Sequence, residues 1–299
     1  MPRGSESPGG VREWLVDRHE LVQLPSVSVL AQLRKDEPSQ PRDHMRVAVL
    51  ADPVYEADDP RVARAASHAR PRSSGTAGAS AHARAAEPSF GADALTRGID
   101  ERSTRVGFGR LLFSRDEANA IAALASADRV VEALDFDASV QTMAGPRVAD
   151  ARIIHVASHG ILNSARPELS GLVLSLVDRR GRPTEGVLHL YDILNLKLSA
   201  DLVVLSACQT GLGREMKGEG LVGLSRAFMY AGAPRVVASL WQVDDFATAE
   251  LMKRFYRGVL VDRLRPAAAL AAAQREMRRH ARSGSPYYWA GFMVIGDWR

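Results

Sequence analysis

The stretch ADLVVLSACQTGLG, residues 200–213, decides how this chain is read. Its first half centres on an unbroken apolar run, Leu202 to Leu205, with two adjacent β-branched residues. A short apolar run of this kind, bounded by turn residues, is the pattern of a strand buried on both faces, as in a parallel sheet. The second half puts the chain's one cysteine, Cys208, where the strand gives way to a glycine-containing turn. Two readings stay open for that thiol. A free cysteine is more often a small buried side chain, but a thiol at the mouth of a sheet is also where a nucleophile would stand.

Outward from this stretch the same pattern recurs. RIIHVAS (152–158), GLVLSLV (171–177) and PRVVASLW (234–241) read as further strands, and YYWAGFMVIGD (287–297) as a closing one. Between them EGLVGLSRAFMYAG (219–232), FATAELMKRFYRGVL (246–260) and PAAALAAAQREMRRHA (266–281) carry helical periodicity. Nearer the amino terminus, MRVAVLADP (45–53) reads as a buried strand and SVSVLAQLRK (26–35) as a short helix capped by Ser26 or Ser28. Ser114 followed by Glu117 suggests a capping box before an Ala/Ile/Leu helix, and RVVEALDF (129–136) a strand. The alternation of apolar strands with helices predicts an α/β fold with a largely parallel central sheet and helices on both faces. Residues 63–91 are almost free of bulky apolar side chains and are expected to form a flexible Ala/Arg/Ser-rich insertion.

Composition narrows the function classes. The chain has 299 residues, 46 % of them hydrophobic, enough for a substantial core. No run approaches the roughly 18 apolar residues of a membrane span, and MPRGSESPGG lacks the apolar stretch of a secretory signal, so a cytoplasmic location is expected and no membrane partner. One cysteine forms no internal disulfide and no cysteine-based zinc cage. Neither a metal nor another cofactor is expected, since no clustered carboxylate loop calls for one. The balance of 39 basic and 35 acidic residues, with arginines scattered rather than interleaved with aromatics, gives no reason to expect a nucleic-acid partner. No repeat of helical-array length recurs.

In an open α/β sheet, reactive groups gather just past the carboxyl ends of the strands. Two of the expected strands end suggestively, one at His159 and Gly160, the other at Cys208. If those strands are neighbours, His159 and Cys208 meet at the rim of the sheet. A thiol and an imidazole are a sufficient pair for acyl transfer, with the imidazole moving the proton. Gly160, which lets its backbone N–H approach a substrate closely, and the Cys208 amide are the candidate oxyanion hole. His155, inside an apolar strand, reads as a hydrogen-bonded core histidine. ASLWQVDD (238–245) ends a further strand in an acidic pair, in which Asp244 or Asp245 either caps the next helix or lines a pocket for a basic substrate residue. A serine-hydrolase reading finds no GxSxG elbow; GLSRA (223–227) lies within an expected helix.

Taken together, IIHVASHG, SGLVLS, GVLHLYDILNLKLSADLVVLSACQTGLG, GEGLVGLSRAFMYAGAPRVVASLWQVDD, ATAELMKRFY and SPYYWAGFMVIGDW resemble the CHAT domains, caspase-like domains often joined to tetratricopeptide repeats and related to caspases and separases. ELVQLPSVSVLAQLR and MRVAVLADP resemble the family's amino-terminal portion. The resemblance implies a caspase-like α/β sandwich divided into an amino-terminal part (1–62, first strand near 46–51), the insertion (63–91) and a catalytic part (92–299). It also implies a cysteine endopeptidase with His159 as general base and Cys208 as nucleophile, cutting protein or peptide partners in bacterial defence or regulated cell death. Asp245, and second to it Asp244, would correspond to the segment that contributes to the primary specificity pocket. Ser158 and Gln209 stand where the commonest family pattern has Thr and Glu. A separate sensor or activator, often a tetratricopeptide-repeat protein, is the implied partner; a stand-alone protease and a piece of a longer protein remain open beside it. The reading from a different class is a non-catalytic interaction or scaffold module on the same fold.

Overall fold

The computed structural model describes residues 13–35, 45–68, 108–163, 166–206, 208–210, 219–280 and 284–298. The central feature is a seven-stranded sheet in the order β1-β11-β10-β8-β4-β2-β3. Its members are β1 (Val22–Gln23), β2 (Val47–Pro53), β3 (Val130–Asp135), β4 (Ile153–Ala157), β8 (Leu202–Leu205), β10 (Arg235–Ser239) and β11 (Phe292–Gly296). From β10 to β3 every pairing is parallel. β11 runs antiparallel to β10, and β1 lies parallel to β11 at the edge.

The sheet is covered on both faces, and alternation along β2 shows how. Val47, Val49 and Ala51 join one core with Ile153, Leu202, Val204, Val237 and Val294, while Ala48 and Leu50 join the other with Ile154, Val156, Val203, Val236 and Ile295. On the first face pack α3 (Ser114–Ala122), α5 (Asp245–Tyr256) and α6 (Pro266–Arg279) through Ile121, Phe255, Tyr256 and Leu270. On the second packs α4 (Glu219–Tyr230) through Leu224 and Phe228. Burial on both sides is what an apolar parallel strand requires. α4 ends before Gly232, whose φ of +119° and whose 2.4 Å approach to the Leu198 carbonyl, were a Cβ present, both exclude a side chain.

Two further helices lie nearer the amino terminus, besides the single turn Leu15–Arg18. α1 (Val27–Lys35) starts as expected at Ser26, whose hydroxyl accepts from the Val29 N–H at 3.1 Å. α2 (Pro60–His68) carries regular structure into the first residues of the stretch expected to be an insertion; residues 69–91 lie outside the described ones.

A second, smaller sheet grows from the rim of the first, in the order β7-β6-β5-β9. β5 (His159–Ile161) follows β4 after one residue, β9 (Cys208–Thr210) follows β8, and β6 (Gly171–Val173) and β7 (Val187–His189) extend the sheet by antiparallel pairing. Thus GLVLSLV is a strand over its first three residues, but of this small sheet rather than the central one. The capping box at Ser114 is not formed. The Ser114 hydroxyl donates to the Leu111 carbonyl at 2.6 Å, and Glu117 is turned inward with 1 % exposure. Its Oε1 lies 3.1 Å from His155 Nε2, and the buried imidazole outcompetes the helix start for this carboxylate.

Candidate active site

β4 and β8 are neighbours, and both continue across the rim into β5 and β9, which are paired in parallel. In that pairing His159 is the register partner of Cys208, Gly160 of Gln209 and Ile161 of Thr210. The two residues that could perform acyl transfer therefore stand side by side on adjacent strands. Gly160, buried within β5, is also in register with Leu172 of β6. Residues 211–218, which follow β9, lie outside the described ones.

The surroundings of His159 define its chemistry. It is 6 % exposed, with Tyr55 and Phe108 rings at centroid distances of 5.2 and 5.5 Å. Its Nε2 lies 2.6 Å from the carbonyl oxygen of Gly109. A carbonyl only accepts, so Nε2 carries the proton and donates. In the neutral ring the lone pair is then on Nδ1, which is buried and has no hydrogen-bond partner among the described residues. Burial pushes the imidazole below its ordinary value, and the Gly109 carbonyl opposes that shift in part. The result is a neutral imidazole with one nitrogen fixed and the other open to accept a proton.

The acidic pair divides its work. Asp244 is the cap of α5, accepting from the Ala247 N–H at 2.9 Å. Asp245, in the first turn of the same helix and half-buried, accepts from the Phe113 N–H at 2.9 Å. Burial, then the charges of Glu117, Asp244 and Asp52, raise its carboxyl above the usual range against the lowering effect of the Phe113 N–H. The Tyr55 phenol connects the two halves of the site. It packs on His159, lies within electrostatic reach of Asp245 and is pushed up chiefly by burial. Of the expected residues, the structure brings His159, Gly160 and Cys208 together on the small sheet, sets Asp245 beside the segment that contacts His159, and gives Asp244 to the helix end.

Sequence reasoning missed Tyr55, Phe108 and the Gly109 carbonyl. Tyr55 follows an apolar strand and Asp-Pro, a position where a rim aromatic could have been suspected. The carbonyl of Gly109 has no signature, since every residue has one. Among the described residues, no group of three His, Cys, Asp or Glu side chains is placed to hold a metal ion, and no helix is long and apolar enough to cross a membrane.

Comparison with known proteins adds three findings. Residues 3–297 match the CHAT domain family. Over 106 residues, 36 % of this chain, the sequence is 40 % identical to Tetratricopeptide repeat protein 28 of Mus musculus and 37 % identical to the Homo sapiens protein of that name. The matched region spans only 4 % of each of those relatives. Among solved structures, the separase–securin complex of Saccharomyces cerevisiae is similar over 93 % of this chain and 14 % of that one, at a TM-score of 0.43 and 10 % identity.

Proposed function

The chain belongs to the CHAT domain family, and from that premise we propose that it is a cysteine endopeptidase working through His159 and Cys208. The observation that carries the proposal is their register on β5 and β9, combined with a His159 ring whose Nε2 is engaged and whose Nδ1 is open. In the proposed reaction the Cys208 thiol gives its proton to His159 Nδ1, and the thiolate attacks the scissile carbonyl carbon. The carbonyl oxygen takes up the electron pair and is met by the Gly160 and Cys208 N–H groups. Collapse of this adduct breaks the C–N bond, and the imidazolium returns its proton to the departing amine, leaving a thioester. Water, deprotonated by the now neutral His159, hydrolyses the thioester and restores the thiol.

In this reading Asp245 selects Lys or Arg before the scissile bond. Its support is a half-buried carboxylate that accepts from the Phe113 N–H of the short segment whose Gly109 carbonyl meets His159. A half-buried carboxylate whose pKa burial raises is stabilised in its charged form by a guanidinium or ammonium partner. The substrate is a protein or peptide, and the setting is the cytoplasm, where a lone thiol stays reduced. The names of the relatives support a partnership with tetratricopeptide repeats, as a separate sensor or in the same chain. Bacterial defence or regulated cell death is the biological role that the family resemblance suggests.

The test is a mass-spectrometric cleavage profile on a diverse peptide library, run with wild type, Cys208→Ala and Asp245→Asn. We expect cuts after basic residues that vanish in the Cys208 variant and lose their preference in the Asp245 variant. Undiminished cleavage by Cys208→Ala overturns the assignment of the nucleophile. Equal use of Arg and Leu substrates before and after Asp245→Asn removes Asp245 from the pocket.

A further inference from the structure

The Gly109 carbonyl, which sets the His159 tautomer, belongs to a segment without regular structure in which Phe108 packs on Tyr55 and His159 while Gly109 itself is held by no packing. Gly109 is exposed, and a Cβ built on it would meet nothing within 4 Å. Glycine is also the residue with the widest backbone freedom. Something else must hold that oxygen 2.6 Å from Nε2.

The next residue supplies it. Arg110 grips Asp52 with both arms of its guanidinium, Nε to Oδ1 at 2.8 Å and a terminal nitrogen to Oδ2 at 2.6 Å. Arg115, the second residue of the following helix α3, donates to the same Oδ2 at 2.7 Å and also pairs with Asp135. Arg61 completes the group from α2, with its guanidinium 3.0 Å from the Asp52 carboxylate, 2.8 Å from that of Asp135 and 2.7 Å from that of Asp59. The cluster contains three arginines and three aspartates, so its formal charge cancels.

The backbone is bent to make this group. Asp52 lies at the shift in register between β2 and β3, an irregularity between Ala51 and Pro53, with φ at +49°. Asp135, the β3 partner of Pro53, has φ at +52°. Left-handed conformations are uncommon for residues other than glycine, and bulges beside active sites serve to re-aim a side chain. Here two such residues at adjacent strand ends turn their carboxylates onto the same arginines. The Asp52 side chain has no exposed surface at all, so its charge is wholly removed from water. A buried ion cluster adds little stability over apolar packing of the same volume. What it adds is direction, because a planar fork on a carboxylate fixes orientation as well as distance.

We infer that the Arg110–Asp52 ion pair is a positioning clamp, holding the Gly109 carbonyl on His159 Nε2 so that Nδ1 remains the open nitrogen. The same segment carries Phe108 against the His159 ring and the Phe113 N–H onto Asp245, so one tether sets both the base and the acidic residue beside it. The clamp rests on the proposed peptidase for the use of the open nitrogen, but its structural claim is read without turnover. Arg110 is a positioning residue and touches no reacting atom.

The experiment follows the His159 ring by long-range nitrogen–proton NMR in wild type, Arg110→Ala and Arg110→Lys, with kcat/KM on a cleaved peptide measured beside it. In wild type the spectrum shows the Nε2–H tautomer. In Arg110→Ala it shows a mixture or the Nδ1–H form, and kcat/KM falls by up to about 100-fold, the scale of a small misplacement of a catalytic group. Arg110→Lys keeps the charge but not the fork and gives an intermediate spectrum; it also serves should Arg110→Ala not fold. The outer ion pair Arg179–Asp137 is the control, and Arg179→Ala leaves the tautomer unchanged. An Arg110 variant with the wild-type tautomer overturns the clamp, as does an equal shift in Arg179→Ala. If no wild-type cleavage is found yet the tautomer responds to Arg110, the clamp stands and the peptidase reading fails.

Discussion

His155 and His159 stand four residues apart, yet the chain delivers them to opposite environments. β4 carries His155 into the helix-covered body of the large sheet, where it is 0 % exposed. There its Nδ1 lies 3.1 Å from the Tyr256 hydroxyl and its Nε2 lies 3.1 Å from Glu117. β5 carries His159 to the rim, where one nitrogen meets a carbonyl and the other meets nothing among the described residues. A ring with a hydroxyl at one nitrogen and a buried carboxylate within ion-pair distance of the other is enclosed as a structural element. A ring with one nitrogen fixed and one open has a defined capacity left over, and that difference, rather than burial or residue type, separates a core histidine from a candidate base.

The sharpest way to break this comparison is to remove each ring in turn. His159→Ala is expected to lower kcat/KM by about 10²- to 10⁴-fold, the usual share of general acid–base catalysis, and also to lower the melting temperature, because the ring is 6 % exposed and packed against Tyr55 and Phe108. Parity in turnover would make His159 another structural residue. His155→Phe should lower stability without that loss of turnover. It leaves the Glu117 carboxylate and the Tyr256 hydroxyl buried without the ring that meets them, a loss of about 3 kcal/mol in a denaturant titration. A variant as stable as wild type would show that the inner contacts are dispensable. Tyr256→Phe removes only one hydroxyl and should cost about 1 kcal/mol.

The mildest expected effect is in pH dependence. Because burial lowers the His159 pKa from 6.5, the neutral base persists to lower pH and the acidic limb of kcat/KM should fall below pH 6.5. The same shift has a sign in stability. Below pH 6.5 the unfolded chain binds a proton that the folded ring resists, so the contribution is present above that value and is lost as pH falls through the folded pKa. Denaturant midpoints between about pH 7.5 and about pH 5 should therefore drop less in His159→Gln than in wild type. Equal slopes would mean that the ring is no harder to protonate in the fold than out of it.

What the sequence made legible is what its chemistry repeats. β4, β8 and β10 were recognisable because strands buried on both faces are uniformly apolar, and Cys208 and His159 because each breaks such a run at its end. The small sheet was harder to see. Its strands are three residues long, and β6 gains its place by pairing with β5 and β7, which no local pattern records. Glu117 was misread for a related reason: its spacing from Ser114 fits a cap, but a buried imidazole across the core is the stronger partner. The Gly109 carbonyl is a backbone atom, and Arg110 looks like any other arginine in a chain of 39 basic residues. Contacts made across some 50 residues by groups without a distinctive side chain leave no local trace.

The division of the molecule into two sheets assigns its candidate parts unequally. His159, Gly160 and Cys208 all ride on β5 and β9, and their mutual register is internal to the small sheet. Asp245 rides on a helix of the large one, and Gly109 on a segment tied to the ends of β2 and β3. A shift of the small sheet as a unit against the large one would preserve the cysteine–histidine pairing while changing its distance from the acidic residue and from the carbonyl. The register of the cysteine–histidine pair thus depends on the small sheet alone, while the acidic residue and the carbonyl depend on elements of the large one.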